Sequence, residues 1–335
     1  MSLTLWVVLA LQHLAAGLLS PSLMPRVERE AWLMGTRFHV VIEGVDRATA
    51  DRLGESMLRE VERIDALLNT WDPSTPLGRL NQAPPSSWTD VDGELAALLR
   101  ESSGWADATS GAFDTRIGAL IDAWDLRGSG RSPQAGELAA ALAASGPNAV
   151  ELGERGLMRS SGAAWMDSGG FGKGAALRAA RRLMDESPVP SEARVLLDLG
   201  GQVLAFAPFA SPWIVDVAHP LRRFESAATL SVHDGSASTS GSSERGRHIL
   251  DPRSGLPVDP WGSVTVVDAD AYTADALSTA LYVMGPRTGI AWAEQAGVAA
   301  LFLELDGETV RPAWTSAMEP WLLEPPASPQ PDKER

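Results

Sequence analysis

Apolar residues along this chain follow two rhythms, and each predicts a different kind of element. From Arg37 to Glu43 the pattern alternates, with Phe38, Val40 and Ile42 on one side, which predicts a strand buried on that face. Leu53, Met57, Val61, Ile64 and Leu68 then recur at steps of three and four, the signature of an amphipathic helix. Leu95, Leu98, Leu99 and Trp105 suggest a second helix, and the Ala/Gly/Ser-rich stretch from Gly128 to Pro147 reads as a helix within a mobile insertion. After residue 163 the texture changes to short apolar runs bounded by Gly and Pro. These predict strands at Val195–Leu199, Trp213–Ala218, Ala228–His233 and Ser263–Asp268, then helices at Thr273–Met284 and Thr288–Gln295, then a strand at Ala299–Leu305. Strands joined by such short turns pair antiparallel, so the expected class is α+β rather than a doubly wound sheet. Asp167-Ser168-Gly169-Gly170 and Asp198-Leu199-Gly200-Gly201 echo each other and hint at an internal duplication.

Composition narrows the function classes. The 335 residues amount to one large domain or two modest ones, and 44% hydrophobic with 21% charged residues is ordinary for a chain with a packed core. A formal net charge of −15 argues against nucleic acid as a partner. An acidic protein can still hold a phosphate ligand, provided that a metal ion, helix N-termini and backbone amides supply the positive field. There is no Cys, which excludes disulfides, thiolate metal sites and a Cys nucleophile.

The ends differ from the middle. Leu3 to Leu19 is apolar apart from Gln12 and His13, like a secretory core or a short anchor, although no Lys or Arg precedes it and no small-x-small cleavage site follows. The expectation is a cell-envelope protein, exported or membrane-anchored; a packed N-terminal segment is the competing reading. Pro325 to Arg335 is rich in Pro and charge and reads as a loose tail. The expected organisation is a leader-like segment over residues 1–28, one folded domain over 29–324, and a tail over 325–335.

Four segments carry candidate chemistry. Asp167-Ser168-Gly169-Gly170-Phe171-Gly172-Lys173-Gly174 runs into an Ala-rich helix, so its amides and the helix dipole would face an anion. Lys173 falls in the first helical turn, where a cation is poorly placed unless a phosphate sits opposite. Taken alone, a plain tight turn explains the segment equally well. Asp275 and Thr279, four apart on a helix, share a face and offer the hard oxygens that Mg²⁺ takes; an ordinary acidic helix start does so too. Asp251-Pro252-Arg253-Ser254-Gly255 is a turn by its chemistry, and His248 just before it is either structural or catalytic. Trp71, beside Asp72-Pro73, and Phe113, within Ala112-Phe113-Asp114, are core residues or stacking faces for a flat ring.

The order of these segments is more specific than any one of them. Met34-Gly35-Thr36, Leu68 to Pro73, Gly111 to Asp114, Asp167 to Gly174, Asp198 to Gly201, Thr239 to Gly241, His248 to Val258 and Ala274 to Thr279 together resemble the ApbE family of FAD:protein FMN transferases, over about residues 30 to 310. The resemblance implies an ApbE-like, T-fold-related α+β architecture of antiparallel sheets and packed helices. It implies an FAD site from Met34, Trp71, Ala112, Phe113, Asp114, Asp167, Lys173 and Ile249. It implies a Mg²⁺ site from the Gly170 carbonyl, Asp275 and Thr279, with Ser278 as a further candidate. The implied partner is an acceptor protein with an Asp-x-x-Ser/Thr-Gly-Ala-Thr type motif, and membrane proximity would come through the N-terminal segment. Asp275, His248 and Lys173 are the expected catalytic residues, with His248 or Asp275 taking the proton and Lys173 lending charge. Trp71 stands where many relatives have Tyr, Gly172 where Ala is frequent, Ser168 for Leu and Ser254 for Thr. None of these changes removes a metal or phosphate ligand. An FAD pyrophosphatase and a flavin carrier without chemistry are the competing readings.

Overall fold

The computed structural model describes residues 25–91, 93–153, 156–186, 189–241 and 248–324, so the leader-like segment up to residue 24 and the tail lie outside the described residues. Eight antiparallel strands form the main sheet: β1 (Val27–Leu33), β2 (Thr36–Glu43), β6 (Arg194–Leu199), β7 (Gln202–Phe206), β10 (Asp234–Gly241), β11 (Gly262–Asp268), β12 (Ala299–Asp306) and β13 (Thr309–Trp314), in the spatial order β1-β2-β6-β7-β10-β11-β12-β13. Two three-stranded sheets accompany it. One joins β8 (Trp213–Ala218), β9 (Ser226–Val232) and β14 (Leu322–Glu324), and the other joins β3 (Trp88–Thr89), β4 (Val150–Gly153) and β5 (Gly156–Arg159). The helices are α1 (Arg47–Leu68), α2 (Pro76–Asn81), α3 (Gly93–Ala108), α4 (Gly118–Ala123), α5 (Ala135–Ala143), α6 (Gly172–Glu186) and α7 (Ala271–Ala296).

Side-chain alternation on the main sheet separates two cores. On β2, Val40 and Ile42 join the helices through a cluster that includes Met57, Val61 and Ile64 of α1, Leu177 and Ala180 of α6, and Tyr272 and Ala276 of α7. Val41, one residue out of phase, points to the other cluster, with Trp213, Leu230, Leu301 and Met318 under the β8/β9/β14 sheet. Each such aliphatic side chain contributes about 1.5–3 kcal/mol by leaving water. The α+β expectation holds.

Two features depart from the sequence pattern, and one expectation is met across a kink. β10 reads Asp-Gly-Ser-Ala-Ser-Thr-Ser-Gly and carries no apolar alternation, yet it lies mid-sheet with Ser236 and Ser238 buried. Its hydroxyls are paired instead: Ser236 Oγ donates to the Val203 carbonyl at 2.8 Å, and Thr239 Oγ1 meets Thr265 Oγ1 at 2.8 Å. The two helices expected at the C-terminal end are both present, abutting within the span α7 across a kink at Gly285 (φ 75°, ψ 169°), where Pro286 follows and removes an amide donor. The two Asp-x-Gly-Gly echoes have unlike settings: the first opens α6, and the second turns the chain from β6 into β7.

Candidate functional site

The Gly-rich turn is built against the end of α1. Ser168 Oγ donates to the Leu68 carbonyl at 2.9 Å, the Gly172 amide closes the turn on the Ser168 carbonyl at 2.7 Å, and Asp167 Oδ2 accepts the Gly169 amide at 2.7 Å. The turn therefore enters α6 with Lys173 and Gly174 in the first helical turn. Gly174 is required there by packing. A Cβ on it would lie 2.8 Å from Asp275 Cβ and the same distance from Tyr272 Cα. Without that Cβ, α6 and α7 approach until their polar groups meet.

They meet at Asp275. Its carboxylate is 2% exposed and takes the Gly174 amide on Oδ2 at 2.9 Å and the Lys173 ammonium on Oδ1 at 3.1 Å, with Ser238 Oγ 3.3 Å from Oδ1. Thr279 sits one turn further along α7, its Oγ1 donating to the Asp275 carbonyl at 3.3 Å. A Cβ placed on Gly170 would come within 3.7 Å of Thr279 Cγ2, so the Gly-rich turn and this face of α7 are neighbours. Ser278 is fully buried and takes part in the β10 seam, 3.2 Å from Ser238 Oγ and 2.9 Å from Ser240 Oγ. Unlike Asp275 and Thr279, it does not line the cavity.

Above this floor opens a cavity of about 1200 Å³. Met34, Trp71, Ala112, Phe113, Asp114, Asp167, Gly170, Lys173, His248 and Ile249, residues that the sequence placed far apart, all line it. The roles available to them differ. Asp114 is buried and clasped bidentately by Arg116, at 2.8 and 2.9 Å, so its carboxylate is already neutralised. The Gly169 amide is occupied by Asp167, which leaves less of the turn's main chain for an anion than the sequence alone suggests. Trp71 is 69% exposed, held at the rim because the Asn69 side chain caps its amide at 2.8 Å after α1 ends.

The donor chemistry suits a hard divalent cation. Asp275 and Thr279 supply carboxylate and hydroxyl oxygens, Gly170 is close by, and the Lys173 ammonium already occupies the kind of position a positive ion would take. Among the described residues no three His, Cys, Asp or Glu side chains cluster in a way that would hold a metal unaided. Phosphate oxygens and water would have to complete the shell.

Other cavity-lining residues escaped the sequence reading: Arg127 from the loop after α4, and Asp216 and Arg223 from β8 and the turn beyond it. No motif marks them. Arg127 lies in the Trp-Asp-Leu-Arg-Gly-Ser-Gly run, where charge next to glycine reads only as a surface loop.

An α+β fold whose Gly-lined turn abuts a buried helix carboxylate, beneath a cavity of about 1200 Å³, marks a protein built around a large ligand cavity. The family model of the ApbE family matches residues 34–302, and the chain belongs to that family. A Klebsiella pneumoniae (strain 342) protein named FAD:protein FMN transferase is 28% identical over 302 residues, covering 84% of this chain and 85% of its own. The Salmonella typhimurium protein of the same name is 26% identical over 307 residues, covering 86% of each. Among solved structures, the apo form of Pseudomonas stutzeri flavinyl transferase ApbE superposes with a TM-score of 0.79 at 25% identity, covering 90% of this chain and 98% of that one. The Thermotoga maritima ApbE protein gives a TM-score of 0.79 at 26% identity, covering 90% of this chain and 100% of that one.

Proposed function

We propose that this protein transfers the FMN half of FAD to a Ser or Thr hydroxyl of another protein and releases AMP. The observation that carries the reading is the meeting of Asp275 with Lys173 and the Gly174 amide at the floor of a dinucleotide-sized cavity. The FAD:protein FMN transferase name of its relatives supports the same activity.

In the reaction the acceptor oxygen forms a bond to the flavin-side phosphorus of the diphosphate. The bond from that phosphorus to the bridging oxygen breaks, and AMP leaves with the electron pair. The acceptor proton passes to a base, and His248, which lines the cavity, is the candidate. Lys173 places a positive charge beside the diphosphate, and the N-terminal end of α6 adds its dipole. Asp275, Thr279 and the Gly170 carbonyl would hold Mg²⁺, which would neutralise phosphate charge and align the two halves of the diphosphate. Trp71 offers an open ring face for the isoalloxazine or the adenine. Among the described residues no helix is long and apolar enough to cross a membrane. The apolar run from Leu3 to Leu19 supports a cell-envelope location and an acceptor in that compartment.

The test is incubation with FAD, Mg²⁺ and an acceptor protein carrying the Asp-x-x-Ser/Thr-Gly-Ala-Thr type motif, read by mass spectrometry. A gain of one FMN on the acceptor, absent with Asp275→Ala, is expected. Free FMN and AMP with an unmodified acceptor would instead make the protein a pyrophosphatase. FAD surviving intact would make it a carrier.

A further inference from the structure

Arg127 belongs to none of the motifs, yet its guanidinium touches Trp71, Trp165, Thr70 and Asp167. Its guanidinium lies 4.8 Å from the centre of the Trp71 ring and 4.3 Å from that of Trp165, so it is stacked between two indoles. In its plane it donates to the Thr70 carbonyl at 2.9 Å, to Thr70 Oγ1 at 2.5 Å and to Asp167 Oδ1 at 3.1 Å. Trp165, the outer layer, is itself fixed. Its indole N–H donates to Asp122 Oδ2 at 2.8 Å, its carbonyl accepts the Gly118 amide at 3.0 Å, and its ring lies so close over Gly118 that a Cβ there would collide with it. The loop that presents Arg127 is equally constrained: Gly128 and Gly130 amides both return to the Asp125 carbonyl, at 3.1 Å each.

The stack runs from the α4 backbone through Trp165 and Arg127 to Trp71, the one large apolar residue of the implied flavin site that stands mostly in solvent. A solvent-exposed indole at the end of a helix has several rotamers open to it, and fixing it before the ligand arrives removes part of the entropy lost on binding. We propose that Arg127 is a positioning residue. It holds Trp71 and Asp167, which both touch its guanidinium, in the geometry that receives FAD, and so sets affinity for FAD rather than the rate of transfer. A Lys would keep the charge but lose the flat face and the forked donors on which the stack depends. The inference rests on the proposed FAD site.

The experiment is a fluorescence titration of the full chain with FAD in EDTA, without acceptor, alongside steady-state transfer with Mg²⁺. Loss of the two cation–π contacts and the hydrogen bonds of Arg127 predicts that Arg127→Ala raises the Kd and KM for FAD about tenfold, with kcat within about twofold of wild type. Arg127→Lys should remain nearer to Arg127→Ala than to wild type. In a double-mutant cycle, Trp71→Leu and Arg127→Ala together should weaken binding by less than the product of the single effects, because part of the Arg127 effect runs through Trp71. Trp165→Leu, which leaves the cavity mouth itself untouched, should shift the Kd in the same direction by a smaller factor. Unchanged FAD affinity in Arg127→Ala, effects of Arg127 and Trp71 that simply multiply, or a fall in kcat alone would overturn the proposal. Failure of the wild-type chain to bind FAD would be a different result, and would remove the functional reading itself.

Discussion

The amide of Gly174 donates to the carboxylate of Asp275 at 2.9 Å, so the first turn of α6 and the first turns of α7 are tied at one buried point. Both helices reach that point because position 174 has no side chain. Gly174→Ala would press a methyl group against Asp275 Cβ and the α7 backbone. Overpacking of this kind costs about 1–3 kcal/mol. The expected outcome is a lower Tm together with loss of FMN transfer, checked by calorimetry and the acceptor mass shift. Full activity in a stable Gly174→Ala protein would separate the helix junction from the chemistry.

Thr279 tests the cation side of the same point. Thr279→Val keeps the volume and removes the hydroxyl. The Mg²⁺ concentration for half-maximal transfer should rise at least about tenfold, the usual scale for damage around a metal ligand. EDTA should stop transfer by wild type, and added Mg²⁺ should restore it. Transfer that is indifferent to EDTA would count against a cation at Asp275 and Thr279.

Gly255 turns the Asp251–Gly255 segment with φ 69°, and a Cβ there would lie 2.8 Å from Leu120 Cδ2 and 3.0 Å from side-chain carbons of Leu138 and Leu142. Trp124 Nε1 also donates to its carbonyl at 2.8 Å. The turn thus rests on a small apolar cluster formed by α4 and α5, to which Leu250 belongs. Gly255→Ala should destabilise by about 1–3 kcal/mol, through both the positive φ and the crowding. It should also weaken FAD binding, because Ile249 and His248 lead into this turn. Denaturant midpoints and the FAD titration check the two parts.

His219, between β8 and its next turn, has a sign that can be worked out. Burial, and then the charge of Arg222, hold its imidazole below the ordinary value, with Glu225 acting weakly the other way. The geometry agrees, since Nδ1 accepts the amides of Leu221 at 3.1 Å and Arg222 at 3.3 Å and must be unprotonated to do so. The folded state binds the proton less tightly than the unfolded chain. Its contribution is therefore complete above the unfolded value, near about 6.5, and declines as pH falls below it. Stability by denaturant titration should drop between pH 7 and pH 5, and His219→Asn should flatten that slope. An equal slope in the variant would show that other groups carry it.

How far the sequence could be read depended on what did the packing. α1 was legible because Met57, Val61 and Ile64 bury by hydrophobicity, at helical spacing. β2 was legible because Phe38, Val40 and Ile42 do so at strand spacing. β10 was not, because its place mid-sheet is secured by serine and threonine hydroxyls that look like loop residues in one dimension. The same division runs through the site. Asp275, Thr279 and the Gly-rich turn announced themselves by type and spacing. Arg127 did not, since its importance arises from two indoles and an aspartate supplied by segments about forty to sixty residues away. Asp114 illustrates a further limit: the residue lies where expected, but its charge is already spoken for by Arg116 two residues on.

The hydroxyl seam between β10 and α7 has a consequence for aim. Apolar packing sets a helix's depth and face, and hydroxyl bonds add a directional constraint to it. Ser238 and Ser240 grip Ser278, and Ser238 also reaches Asp275, through bonds that tolerate only a narrow range of angle. Rotation of α7 is thereby constrained, and with it the direction in which the Asp275 carboxylate faces the cavity.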